Sequence, residues 1–505
     1  MGIVYRQSLK GTIATLFGAG IGFVVTFFVL TRFLAPEEIG LIRIVTEAAT
    51  LLGSFALLGI QTSAVRYYPH FHTGDGGDRG FAKLAFWIPI PGIVLFTLLF
   101  LTFRDPLVTY FGGGGGASKP GGELFGRYAL LVLPMMVFLM YLTVEEVYAS
   151  IHKRVAVPRL IREVVLRLLL GTGYVLFGLK VIGDFTGLMT FVVASHALCA
   201  LIGLGYLLHL TPSAWRSPVL MPDSSVRKDF VTYSSLTLLS ALGSNIATRL
   251  DLFMVSAGMG MSFGGIFSII FLMVAVIEMP GRALLAMSGP IVSELLHKGD
   301  QKGLKELYLS VSQQQLLIGS ILFLLIWNNI DLVFRLIPNG EIYSQGKWVF
   351  LILGIGKMID LSFSFGNAII RYSKYYVWSL AYTFLVTIIA IWLNSLLIPR
   401  LGMEGAATAT VLTFCITYAF QQVILWKALH LSPLHRDLLL LFLTVGLLPA
   451  VEHYLLAPLT SGGTLGSFLL KNLLFLAVLI GALLPQKPFR ELLEKSKETF
   501  LHHSS

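Results

Sequence analysis

The sequence predicts an all-α integral membrane protein of about fourteen transmembrane helices. Fourteen stretches of roughly twenty or more mostly apolar residues run through its 505 positions, with short polar joints between them. A helix rises about 1.5 Å per residue, so about 20 apolar residues cross the ~30 Å hydrocarbon core of a bilayer. Charged residues make up only 13% of the chain, against 55% hydrophobic ones. Soluble domains carry about 25% charged residues, and lipid explains the shortfall, because an ionisable group in hydrocarbon costs several kcal/mol. Barrel strands would be about 10 residues long and alternate in polarity; these runs do neither.

The predicted spans are 11–34, 41–65, 83–103, 125–149, 157–179, 185–209, 229–257, 264–292, 308–334, 347–370, 375–398, 405–428, 437–457 and 466–485. The first apolar run, Thr12 to Leu34, exceeds the core of a cleavable signal and is followed by no Ala-x-Ala site, so it reads as an uncleaved span. Pro89, Pro91, Pro134 and Pro280 interrupt spans 3, 4 and 8, where each removes a backbone hydrogen bond and predicts a kink, as a hinge or as a packing device. The longest predicted outside loop, Arg104 to Glu123, contains Gly112 to Gly116 and is a flexible tether by composition. The joint from Thr211 to Lys228 carries Pro212, Pro218 and Pro222 and reads as a linker, with six spans before it and eight after.

Orientation follows from the basic residues. With the N-terminus inside, the inside joints hold 23 Lys and Arg and the outside joints 9, while Arg167, Arg249, Arg282, Lys357 and Lys471 fall within spans. The positive-inside rule then places both termini in the cytoplasm. The net charge of +10 is spread over the loops with no basic stripe, which argues against nucleic acid. Cys199 and Cys415 lie far apart in apolar stretches, so no disulfide or metal site is expected. No phosphate-binding loop, His-Glu-x-x-His motif or placeable Ser/His/Asp set occurs, so neither ATP drive nor enzymatic chemistry, nor any cofactor, is expected. The short outer loops speak against a membrane glycosyl polymerase.

Three segments carry a resemblance. They are Phe33-Leu34-Ala35-Pro36-Glu37-Glu38-Ile39-Gly40 with Leu58-Gly59-Ile60-Gln61-Thr62-Ser63-Ala64-Val65-Arg66-Tyr67-Tyr68; Arg249-Leu250-Asp251; and the joint from Ile398 to Thr410. Together with the span count they resemble the Wzx-like polysaccharide flippases of the multidrug/oligosaccharidyl-lipid/polysaccharide exporter superfamily. The resemblance implies two pseudo-symmetric six-helix lobes, 1–210 and 229–428, facing a central cavity and joined by a cytoplasmic linker at 211–228. Two added helices at 429–485 and a cytoplasmic tail at 486–505 would follow. It implies a monomeric exporter in a bacterial or archaeal cytoplasmic membrane that moves a polyprenyl-linked anionic oligosaccharide by alternating access. A lipid II flippase and a multidrug antiporter of the same superfamily are the alternatives.

Charges inside the spans are the candidate site, because lipid makes them costly. Arg43, Arg249, Asp251, Arg282 and Lys357 are the expected substrate-binding residues, since Arg suits two-point phosphate contacts and Lys acts as a point charge. Glu47, Glu278 and Asp360 are the expected carriers of any proton or sodium coupling. Arg43 and Glu47, Glu278 and Arg282, and Lys357 and Asp360 are spaced to share helix faces, so they could equally be self-neutralised pairs, whereas Arg249 and Asp251 need partners on other helices. Tyr233, Phe271, Phe363 and Phe365 offer aromatic faces for sugar stacking. Glu145, Glu146, Arg162, Glu163 and Arg167 flank the inside joint of spans 4 and 5, as a gate network or as solvated interfacial charge. Arg66, ending span 2, could meet the headgroup layer.

Overall fold

The computed structural model describes residues 2–71, 80–112, 120–219, 223–375, 377–433, 436–451 and 465–483. The predicted tail at 486–505, most of the loop's glycine run and residues 220–222 of the predicted linker lie outside the described residues. All regular structure among the described residues is helical, and helices occupy each of the fourteen predicted stretches. They are α1 (2–33), α2 (36–67), α3 (Phe81–Phe111), α4 (120–151), α5 (156–178), α6 (Phe185–Leu210), α7 (224–259), α8 (Met261–Lys298), α9 (Gln301–Asn328) and α10 (Lys347–Tyr372). The run Val377–Leu429 contains α11 and α12, bent at Gly402, where φ is 64° and ψ is −136°. After it come α13 (Arg436–Val451) and α14 (Leu465–Leu483). Among the described residues nine helices are long and apolar enough to cross a bilayer, with the bent run counted once. Shorter and interrupted apolar helices make the set compatible with fourteen crossings.

Contacts divide the chain into two compact units. The first is Met1–Ile269 with Ile337–Asn339, and the second is Ile270–Leu336 with Gly340–Ser505. In the first unit α2 packs against α3 and α4, and α6 packs against α4. Ile39, Leu41, Ile44, Val45, Ala49 and Met136 are fully buried there. Small residues set the helix spacing, as they do where van der Waals packing must hold helices together in lipid: Gly53 rests on the Met136 carbonyl and Gly92 on the Ala56 backbone. Ile13, Leu16, Phe17, Val94 and Leu98 point outward, as lipid-facing residues should. α1 meets α5 where both helices widen, in π-turns at Val25–Leu30 and Ile161–Val165. Beside them Arg167 donates to the Gly18 carbonyl at 2.6 Å and to Glu163 at 2.5 Å.

Two helices of this unit are discontinuous. α2 breaks after Ala56, where Leu58 (φ 50°) and Gly59 (φ 80°) turn left-handed before the helix resumes at Ile60. Gly59 is required twice over, by its φ and by the Ser234 carbonyl, which a Cβ would strike. α7 breaks at Thr248 and Arg249 and resumes at Leu250. Neither break has a proline to announce it.

In the second unit α10 packs against α9 and the α11–α12 run, α13 against α9, and α14 against α13. Asn472 of α14 accepts hydrogen bonds from Asn328 and Asn329 at 3.1 and 2.9 Å, and Lys471 donates to the Asn328 carbonyl at 3.0 Å. Of the predicted interruptions, Pro89 restarts α3 after a turn at Ile88, and Pro134 follows a 3-10 turn at Ala129–Leu131. Pro280 lies within the continuous α8, and Gln315 of α9 donates to the neighbouring Gly281 carbonyl at 3.0 Å.

Candidate functional site

The break in α7 explains the position of Arg249. The Arg249 amide turns back to Ile246 at 3.0 Å, which frees the Asn245 carbonyl from its helical partner. In a span that carbonyl must be satisfied from within the protein. The Arg249 side chain does so: Nη1 donates to the Asn245 carbonyl and to Asn245 Oδ1, both at 3.1 Å, and to Thr248 at 3.2 Å. Its Nε donates to Glu47 of α2 at 2.7 Å. The guanidinium thus caps a broken helix and binds the helix beside it.

Glu47 therefore pairs across helices rather than with Arg43 on its own face. Arg43 is half-buried near Tyr174 of α5, with no ion pair among the described residues. Asp251 is half-buried in the first turn of the second segment of α7.

The second unit holds a linked set of charges. Lys357 of α10 donates to Glu278 of α8 at 2.8 Å and to Asp360 at 2.9 Å, and its ammonium lies 5.7 Å from the Phe414 ring centroid. The other oxygen of Glu278 accepts from Arg282 at 2.9 Å, and the other oxygen of Asp360 accepts from Tyr418 of α12. Tyr418 in turn packs against Tyr382 of α11, with ring centroids 6.1 Å apart. Two cations and two carboxylates balance. The set runs from a buried end to an open one: the Lys357 and Asp360 side chains are 15% and 16% exposed, and that of Arg282 is 67% exposed.

Both intrahelical pairs expected in these spans are present, but they are not separate: Lys357 joins them. Tyr418 and Tyr382 are the members that the sequence did not mark. Of the aromatic candidates, Phe365 is fully buried and offers no face, Phe363 lies beside Tyr418, and Tyr233 carries Arg66 on its ring. At the joint of α4 and α5, Glu146 holds Arg159 and Arg162, each at 3.3 Å. Glu145 is not solvated interfacial charge: it is buried against Gly203 of α6, and its Oε1 has no partner among the described residues.

The family model described as "Polysaccharide biosynthesis protein" matches residues 6–293. Among solved structures, the chain is similar to the lipid II flippase MurJ in an inward closed conformation, at 13% identity and a TM-score of 0.70, over 94% of this chain and 98% of that one. It is also similar to an inward-facing multidrug resistance MATE family transporter of the MOP superfamily, at 15% identity and a TM-score of 0.62, over 84% of this chain and 99% of that one. None of the curated protein sequences matches. The shared architecture is thus that of MurJ and the MATE transporters, as the fold class expected from the sequence requires.

Proposed function

Because the chain belongs to the polysaccharide biosynthesis protein family, we propose that it is a flippase for a polyprenyl-(pyro)phosphate-linked oligosaccharide. It would carry the repeat unit across the cytoplasmic membrane by exposing one charged route to each face in turn. The observation that carries this function is the Glu47–Arg249 pair at the break of α7, opposite an equally discontinuous α2. Discontinuous helices at membrane depth are where transporters place substrate sites.

Arg43, Arg249, Arg282 and Lys357 would meet phosphate, with Asp251 hydrogen-bonding sugar hydroxyls. Lys357, Arg249 and Arg282 are all held by carboxylates in the structure, so the substrate must take over those contacts, and Arg282 is the most exposed of the three. The displaced acids, Glu47, Glu278 and Asp360, are the groups through which a proton or sodium gradient would act. Transport of this kind makes and breaks no covalent bond, so no enzymatic step is assigned. Both termini would be cytoplasmic, and the protein would work as a monomer.

Deletion in the native host tests the function. Lipid-linked repeat units should accumulate in the inner leaflet, and an Arg249→Ala copy should complement weakly. Unchanged surface glycan after deletion, in a strain with no second exporter of this type, would reject it. Flux in proteoliposomes that ignores imposed pH and sodium gradients would remove the coupling role of the three acids.

A further inference from the structure

We infer that Arg66, with Tyr67 and Tyr233 beneath it, is the docking point where the phosphate of a prenyl-linked substrate is first bound, at the ends of α2 and α7 predicted to face the cytoplasm. The inference rests on the flippase function proposed above and adds a place of entry to it.

The guanidinium carbon of Arg66 lies 4.3 Å from the Tyr233 ring centroid and 5.5 Å from that of Tyr67. Tyr67 is buried and packs edge-on against Phe230 at 5.4 Å and Tyr233 at 6.0 Å. A guanidinium lying over rings is held by its flat face, which leaves its edge N–H groups for a planar or tetrahedral anion. Arg66 is exposed and forms no ion pair with a carboxylate among the described residues. In this it differs from Arg249, Arg282 and Lys357, each of which already holds one.

The mount beneath it is fixed. One turn before Arg66, Ser63 of α2 accepts a hydrogen bond from Ser234 of α7 at 2.8 Å, and both serines are buried. Ser63 also donates to the Gly59 carbonyl at 3.1 Å, at the break of α2. On α7, Arg227 stands one turn before Phe230, and Asp229 one turn before Tyr233, all at the exposed start of the helix. Asp229 forms no ion pair with Arg66 among the described residues, so the guanidinium edge stays open. A basic residue that only anchors a span extends its head into water. Arg66 is instead laid on tyrosines.

The test uses the full chain in phosphatidylcholine nanodiscs titrated with geranylgeranyl diphosphate. Arg66→Ala and Tyr233→Leu should each weaken binding about tenfold, Arg66→Lys should fall between, and Tyr233→Phe should match the wild type, as loss of a charge-assisted two-point contact predicts. The conservative pair keeps the test valid if a larger change impairs folding. Displacement by inorganic pyrophosphate would support recognition of the phosphate alone, and its failure to displace, with the Arg66 effect retained, would support recognition of phosphate presented at the membrane. Equal binding by wild type and Arg66→Ala would overturn this site and leave the flippase function standing. A wild type that does not bind the prenyl diphosphate would overturn both. Loss of the Arg66 effect once roughly one lipid in five is anionic would show a general attraction to charged bilayers and would also overturn the site.

Discussion

Replacing Lys357 by Met removes the one cation that two carboxylates share. Glu278 and Asp360 lie 2.8 and 2.9 Å from its ammonium, and their side chains are 22% and 16% exposed. Stranding a buried charge costs about 3–5 kcal/mol. Each acid here keeps one donor, Arg282 for Glu278 and Tyr418 for Asp360, so the low end applies, about 3 kcal/mol. For a unit of this size that corresponds to a fall of roughly 6–12 °C in melting temperature. The assay is tryptophan-detected unfolding in one detergent at one scan rate, with Lys357→Met, Asp360→Asn and the double variant run together. The double variant should be more stable than Lys357→Met alone, because it leaves one stranded acid fewer, and the cycle should show a coupling of about 1–3 kcal/mol. A Lys357→Met protein that melts with the wild type, or two changes that simply add, would refute the shared ammonium.

Two further outcomes follow from the first unit. Exchanging the charges, Glu47→Arg with Arg249→Glu, should recover most of the melting temperature lost by Arg249→Ala but not its complementation, because the Asn245 carbonyl keeps no cap; full complementation by the exchanged pair would reduce Arg249 to a structural ion-pair partner. Gly265 lies against the Pro36 carbonyl and Gly40 against that of Met261, so Gly265→Val should lower the yield of monodisperse protein and the melting temperature, as overpacking by about 1–3 kcal/mol or more does; wild-type behaviour would show that these backbones are not in contact.

The helical class and the positions of the apolar stretches were legible because lipid imposes a length and a composition on every span. The intramembrane charges were legible for the same reason, each being an exception to that composition. Their partners were not. Glu47 and Arg249 stand 202 positions apart, and helical spacing speaks only of neighbours on one helix, so Arg43 was as good a mate for Glu47 as any. The two breaks were hidden too: Leu58-Gly59 lies in an apolar run, the polar residues around Thr248-Arg249 mark a site without marking a break, and only the left-handed backbone at the first and the returned amide at the second expose them. Glu145 looked like a neighbour of Glu146 at a wet joint, yet one step along the helix turns it by about 100° into the protein.

The bend at Gly402 gives α11 and α12 a property that their separate spans did not suggest. Helical structure runs without a loop from Val377 to Leu429, and one glycine supplies the whole change of direction. The joined end of this pair therefore has no slack. A displacement of one leg is passed to the other as through a crank, and Tyr382 and Tyr418, one on each leg, would be carried together wherever Asp360 moves.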